Sequence, residues 1–246
     1  MARIPSLSML LETAGKDFLA EEYGKVIENI QKSTISSLLK NQDLSGNPAA
    51  GTVEAKRFVN AQSTPYGTAR ASGRAQNVKV RPVTIPIDTD RELLAEIEEK
   101  DIGLYGVDGL IQRRIANHGA SMQRELERAF FTEAANVATA ITSTPTAINQ
   151  LIEKVIQQIE STKNDFVDGV DRDMISLTCN TETYGLIRDD LNRGANNANV
   201  TTAPAEFGVY HGVRIYSSVY LPTGVRIIGM VDGNLKSNDL CLKVML

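Results

Sequence analysis

Asn60-Ala-Gln-Ser-Thr-Pro-Tyr-Gly-Thr-Ala-Arg-Ala-Ser-Gly-Arg-Ala-Gln-Asn77 is an eighteen-residue stretch with Tyr66 as its one large apolar side chain. It lies between two segments rich in β-branched residues, Thr52–Val59 and Val78–Ile87, which read as strands. Pro86 fits only an edge strand, because its missing N–H breaks a ladder. The whole of 51–90 therefore reads as a long hairpin with no core of its own. Such a hairpin is marginal in water, and ordering its tip costs about 1–2 kcal/mol per residue in backbone entropy. The tip either stays disordered or is ordered by a neighbouring molecule.

Charge favours a neighbour. From Gly51 to Pro82 the basic residues Lys56, Arg57, Arg70, Arg74, Lys79 and Arg81 face only Glu54. From Val83 to Asp101 the balance inverts, with Asp88, Asp90, Glu92, Glu96, Glu98, Glu99 and Asp101 against Arg91 and Lys100. Adjacent blocks of opposite sign can pair within one chain or join copies head to tail, and head-to-tail contacts can close into rings. Nucleic-acid binding by the hairpin is a weaker reading. Phe58 and Tyr66 are few aromatics for a stacking platform, and the whole chain has net charge −4.

Upstream, Val26, Ile27, Ile30, Ile35, Leu38 and Leu39 recur at mostly helical spacing, so the first 45 residues read as a helical arm. Gln42–Ala50 is loop chemistry. Downstream, Arg91–Lys100 reads as an acidic amphipathic helix. Val107 to about Ala140 follows as a long helix with an apolar stripe: Val107, Leu110, Ile111, Ile115, Met122, Leu126, Ala129, Phe130, Ala134 and Val137. Arg113, Arg114, Arg124, Glu127 and Arg128 are expected on its opposite side, and Gly119 marks a bend or close-packing point. The remaining hundred residues read as α/β. A helix carries Ile148, Leu151, Ile152, Val155, Ile156 and Ile159, and a buried strand runs Met174–Thr178. A helix capped at Asn180-Thr181 follows, then strands Val209–Ser217, Val225–Val231 and Leu240–Leu246.

The 246 residues, 42% hydrophobic and 23% charged, have an ordinary globular composition. Cys179 and Cys241 are too few for a disulfide scaffold or a thiolate zinc site. No P-loop, dinucleotide glycine fingerprint or nucleophile elbow is present. His118 reads as a packing or helix-surface residue. His211, at a strand start, lacks a nucleophile nearby in sequence. Asp189-Asp190 reads as a solvated helix end and Cys179 as a core hydrophobe. No catalytic, cofactor or metal site is expected, and no export or membrane segment is read.

The order of these features resembles the major capsid protein of tailed bacteriophages, whose coat fold encapsulin shells and the herpesvirus capsid floor share. The stretches carrying the resemblance are Gly51–Phe58, Tyr66–Arg70, Asp101–Gly106, Gln123–Phe131 and Phe207–Tyr216 followed by Leu221-Pro-Thr-Gly224. It implies an α+β chain divided into an N-terminal arm (1–50), an extended loop (51–90), a peripheral domain with a spine helix (91–141), an axial domain (142–235) and a C-terminal strand returning to the peripheral domain (236–246). It further implies a non-enzymatic structural protein that self-assembles, as pentamers and hexamers, into an icosahedral shell around double-stranded DNA. Assembly would take place in the bacterial cytoplasm, with separate scaffolding and portal proteins. The inter-subunit contact would set Lys56, Arg57, Tyr66, Arg70, Arg74 and Lys79 of the loop against Glu92, Glu96, Glu98 and Glu99. Arginines at the tip speak against a lysine-derived cross-link. The alternatives are an encapsulin-type compartment around a protein cargo and a soluble α/β enzyme.

Overall fold

The computed structural model describes residues 21, 24–25, 34–40, 44–47, 51–55, 63, 65–67, 83–89, 91–93, 106–141, 147–164, 167–193, 206–232 and 241–245. In chain order its elements are α1 (Ile35–Leu39), β1 (Leu44–Asn47), β2 (Thr52–Ala55), β3 (Val83–Pro86), α2 (Val107–Val137), β4 (Thr139–Ile141) and α3 (Ile148–Glu160). A 3₁₀ turn (Arg172–Met174), β5 (Ile175–Cys179), α4 (Thr181–Arg193), β6 (Glu206–Tyr210), β7 (Val213–Ser217), β8 (Val225–Val231) and β9 (Cys241–Met245) complete them. The chain is mixed α and β and divides into two compact units, one of residues 1–38 with 91–132 and one of 39–90 with 133–246.

The first unit holds most of α2. Its buried residues do not follow a single stripe. Leu110, Ile111, Ile115 and Gly119 are buried in the first half, whereas Glu127 and Phe131 are buried further on. Twelve residues of α-helix turn about 120° beyond whole turns, so the inward face has rotated between Ile115 and Glu127. Met122, Leu126 and Ala129, expected in the stripe, are exposed for this reason. Glu127, expected outside, is only 3% exposed. Its Oε1 accepts hydrogen bonds from the Ser36 backbone N–H at 2.9 Å and the Ser36 hydroxyl at 2.8 Å. A carboxylate can be buried when its oxygens are satisfied in this way.

The second unit contains two sheets. In the smaller, β2 pairs antiparallel with both β1 and β3, with Thr52 opposite Pro86 and Ala55 opposite Val83. Pro86 thus sits on an edge strand, as its chemistry requires. Leu44–Asn47, expected in a loop, is a strand because β2 offers it a partner. The larger sheet has the order β4-β9-β8-β5-β7-β6 among the described residues. β4 with β9 and β5 with β7 are parallel, and the other pairs are antiparallel. The last strand, β9, pairs with β8 on one side and with β4 on the other, so residues 139–141 and 241–245 complete one edge of this sheet. The compact units divide within α2, at 132/133.

The core forms where α3 and α4 cover one face of this sheet. Leu151, Ile152, Val155, Ile156 and Ile159 of α3 are buried against Ile175, Leu177, Cys179, Ile215 and Ile227. Each such side chain contributes about 1.5–3 kcal/mol by leaving water. Asn180 caps α4, its Oδ1 accepting the Thr183 N–H at 2.8 Å. Cys179 is fully buried, and that burial pushes its thiol up to about 12. It packs as a small hydrophobe.

Helix and sheet pack tightly at Gly229. A Cβ there would lie 2.8 Å from Val155 Cγ1, 2.9 Å from Leu177 Cδ2 and 3.0 Å from Ile159 Cδ1. Gly229→Ala is expected to destabilise the subunit by about 1–3 kcal/mol, and Gly229→Val by more, through overpacking. Guanidinium denaturation followed by circular dichroism measures both; an Ala variant as stable as wild type would refute this packing.

Candidate assembly surfaces

The hairpin stem is defined at its base. Beyond the β2–β3 ladder, the Ile87 N–H donates to the Gly51 carbonyl at 2.8 Å. Gly51 has φ 74°, a left-handed conformation that favours glycine, where the chain turns from β1 into β2. At the tip, Tyr66 is 98% exposed, beside Gly67 at φ 91°. An aromatic ring so fully in water is unusual within a chain that has a core to offer it. Glu92 is exposed as well. The other expected contact residues, Lys56, Arg57, Arg70, Arg74, Lys79, Glu96, Glu98 and Glu99, and the acidic helix Arg91–Lys100 beyond Leu93, lie outside the described residues.

A second surface comes from a segment expected to be one strand. Val209–Ser217 is interrupted by a two-residue turn, with His211 at φ 53° and Gly212 at φ 83°. Positive φ at both central residues is the geometry of a tight hairpin that follows strand twist. The chain therefore folds back, and β6 pairs antiparallel with β7. His211 lies in this turn rather than at a strand start.

Arg172 fixes that turn to α3. Glu153 and Glu160, seven residues apart, lie on one face of the helix. Arg172 donates to Glu160 Oε1 at 2.6 Å and Oε2 at 3.0 Å, to Glu153 Oε1 at 2.9 Å and to the His211 carbonyl at 3.0 Å. His211 Nδ1 lies 3.0 Å from Glu153 Oε2. Gly212 makes room for this arrangement, since a Cβ there would sit 2.9 Å from Arg172 Cδ. The Arg172 hydrogen bond holds the Glu153 carboxyl below its ordinary value, against the opposing effect of burial. The two carboxylates, Glu160 first, hold the guanidinium proton more firmly than usual. Beside the cluster, Asn149, Gln150, Glu153, Lys154, Gln157 and His211 line an open groove of about 510 Å³. Asp190, expected to be solvated, accepts the Tyr210 hydroxyl at 2.8 Å. Burial and that acceptor both raise the Tyr210 phenol.

None of these contacts is visible in the sequence, because their members stand 12, 19, 39 and 58 residues apart. Among the described residues no group of three His, Cys, Asp or Glu could hold a metal ion, and no helix is long and apolar enough to cross a membrane. What the described residues build is an α/β unit with a hairpin stem and exposed apolar side chains.

The phage capsid protein family model matches residues 95–238, and the chain belongs to that family. It is a major capsid protein, a structural component of the virion shell that assembles with copies of itself. A solved chain of Mycobacterium phage Che8 is similar at 14% identity over 79% of this chain and 77% of that one, with a TM-score of 0.51. The likeness is one of fold. Others are the capsid of cyanophage P-SCSP1u, at 12% identity over 81% and 73% with a TM-score of 0.49, and the mature capsid of bacteriophage PhiM1, at 13% over 74% and 67% with 0.41. No curated protein matches the chain.

The depressed Glu153 carboxyl sets a pH dependence. Its folded value lies below its unfolded one, so the stabilisation is present above the unfolded value and is lost as pH falls through the folded value. Arg172→Met is expected to cost about 1 kcal/mol at pH 7, a figure reduced for the solvent that reaches the cluster. The difference from wild type should shrink below about pH 4. Urea denaturation at pH 7 and pH 3 tests this, and a gap that stays constant with pH would contradict it.

Proposed function

We propose that this protein tiles the icosahedral head of a tailed phage around double-stranded DNA, and that its basic hairpin is the strap joining neighbouring subunits. The family membership of residues 95–238 is the observation that carries the reading. Lys56, Arg57, Tyr66, Arg70, Arg74 and Lys79 of one copy lie on Glu92, Glu96, Glu98 and Glu99 of the next. Long-range attraction between the two blocks steers copies into register. Closure of the contact removes Tyr66 from water, which offsets the entropy of ordering the tip. Obligate contacts of this kind bury roughly 2,000–5,000 Å².

Residues 51–90 act as the extended loop, while the sheet and helices of 142–235 gather around the five-fold and six-fold axes. DNA is contained rather than recognised, which suits a subunit of net charge −4. Assembly takes place in the host cytoplasm, with scaffolding and portal proteins as separate chains.

Arg70→Glu combined with Arg74→Glu is expected to leave folded, soluble subunits that no longer form shells. Sedimentation and electron microscopy of the expressed protein read this out. Megadalton particles from wild type and small species from the double variant are the expected pair. Normal particles from the variant would remove the strap from the mechanism, and particles filled with a protein cargo would replace DNA as the content.

A further inference from the structure

The two faces of the larger sheet are differently finished at one end. Leu177 and Gly229 are register partners, and Val155 and Ile159 of α3 crowd the Gly229 position, so α3 covers the face they share. Ser176 projects to the opposite face, and its register partner Arg214 lies there with it. Val209 is opposite Arg214 in the β6–β7 ladder and shares that face. Arg214 pairs with the Asp232 carboxylate and donates to the Asp173 carbonyl at 3.4 Å, which brings the 3₁₀ turn into the same surface. Around that ion pair Val209 is 67% exposed and Met174 51% exposed. Asp232 Oδ1 is buried without a hydrogen-bond partner, and the exposed Asp173 carboxylate meets no cation among the described residues.

The groove lined by Asn149, Gln150, Glu153, Lys154, Gln157 and His211 lies beside α3, at the same end of the sheet, because the His211-Gly212 turn closes the strand that carries Val209; the Glu153 carboxylate in it is already held by Arg172. Lys154 has no carboxylate partner among the described residues. One end of this unit thus exposes Met174, Val209 and the Asp173 carboxylate on one face, and on the other a concave surface with Lys154, whose ammonium meets no carboxylate among the described residues. Complementary surfaces on opposite faces cannot meet within one copy, nor do they make a two-fold contact of a surface with itself. They match between successive copies turned about an axis, a heterologous contact that closes into a ring.

We infer that the Met174–Val209 projection of one subunit seats in the Lys154–His211 groove of the next copy of this chain, with Asp173 facing Lys154. The inference rests on the self-assembly of this family and assigns the contact that closes a capsomer. It is separate from the hairpin strap.

The test is a charge exchange. Lys154→Glu and Asp173→Lys, each alone, should raise the subunit concentration needed for particles by about tenfold, as loss of a central contact does. The two together should recover most of it. Val209→Asp should impair assembly similarly, while circular dichroism and thermal melting stay as in wild type. Single variants that assemble like wild type, or a double variant that recovers nothing, would overturn the assignment. Should a variant misfold, wild-type particles made from mixed light and heavy-isotope subunits can be treated with a zero-length carbodiimide. A mixed-label Asp173–Lys154 peptide supports the contact, and only cross-links elsewhere refute it. Wild-type protein that forms no particles would instead count against the shell function itself.

Discussion

Much of this subunit depends on the seating of α3 on the sheet at Gly229. There the side chains of Val155, Ile159 and Leu177 already fill the space that a Cβ would take. With the gap closed, Leu151, Ile152, Val155, Ile156 and Ile159 reach the sheet and lose their water. The outer surface of the helix is then positioned as well, since a rigid body has no freedom left to tilt. Glu153 and Glu160 stand where Arg172 can grip both, and the grip reaches the hairpin turn. A contact deep in the interior in this way sets the position of polar groups at the surface. Close-packed interiors transmit displacement rather than absorb it.

Elements with one dominant pattern were legible in the chain. Val225–Val231 is a strand with the bounds its β-branched run predicts, and α3 buries five of the six residues its spacing marks, with Ile148 partly buried. The Asn180 cap and the edge position of Pro86 follow from side-chain chemistry alone. The failures have physical causes. α2 was read as one stripe, but its inward face rotates, and pattern counting assumes that it does not. Glu127 looked like a solvent-facing acid because nothing nearby in sequence announces Ser36, ninety-one residues away, as its donor. Leu44–Asn47 reads as a loop by composition and becomes a strand through its partner. In Val209–Ser217, continuous β propensity concealed a reversal that only His211-Gly212 could signal.

The two proposed assembly surfaces divide in the same way. The hairpin was conspicuous because its charge and lack of apolar residues are local properties. The end of the sheet was not, because its projection is made from three strands and a turn that only folding brings together. A coat subunit differs here from an enzyme, whose chemistry demands particular residue types and leaves motifs behind. Tiling requires complementary shape and charge, which many sequences can supply. A fold shared at 14% identity with the Che8 chain is what such a weak demand on sequence would produce.

The two-residue turn at His211-Gly212 has a bearing on how this lineage can change. Both positions hold left-handed backbone, and Tyr210 and Val213 on either side are register partners. A residue inserted between them would replace this two-residue turn by a longer loop or a bulge, and the hold of Arg172 on the His211 carbonyl would be disturbed. Residue type is restricted at this corner as well, since Gly212 combines a positive φ with a Cβ position already filled by Arg172. Foreign peptides spliced in for surface presentation would need to enter elsewhere.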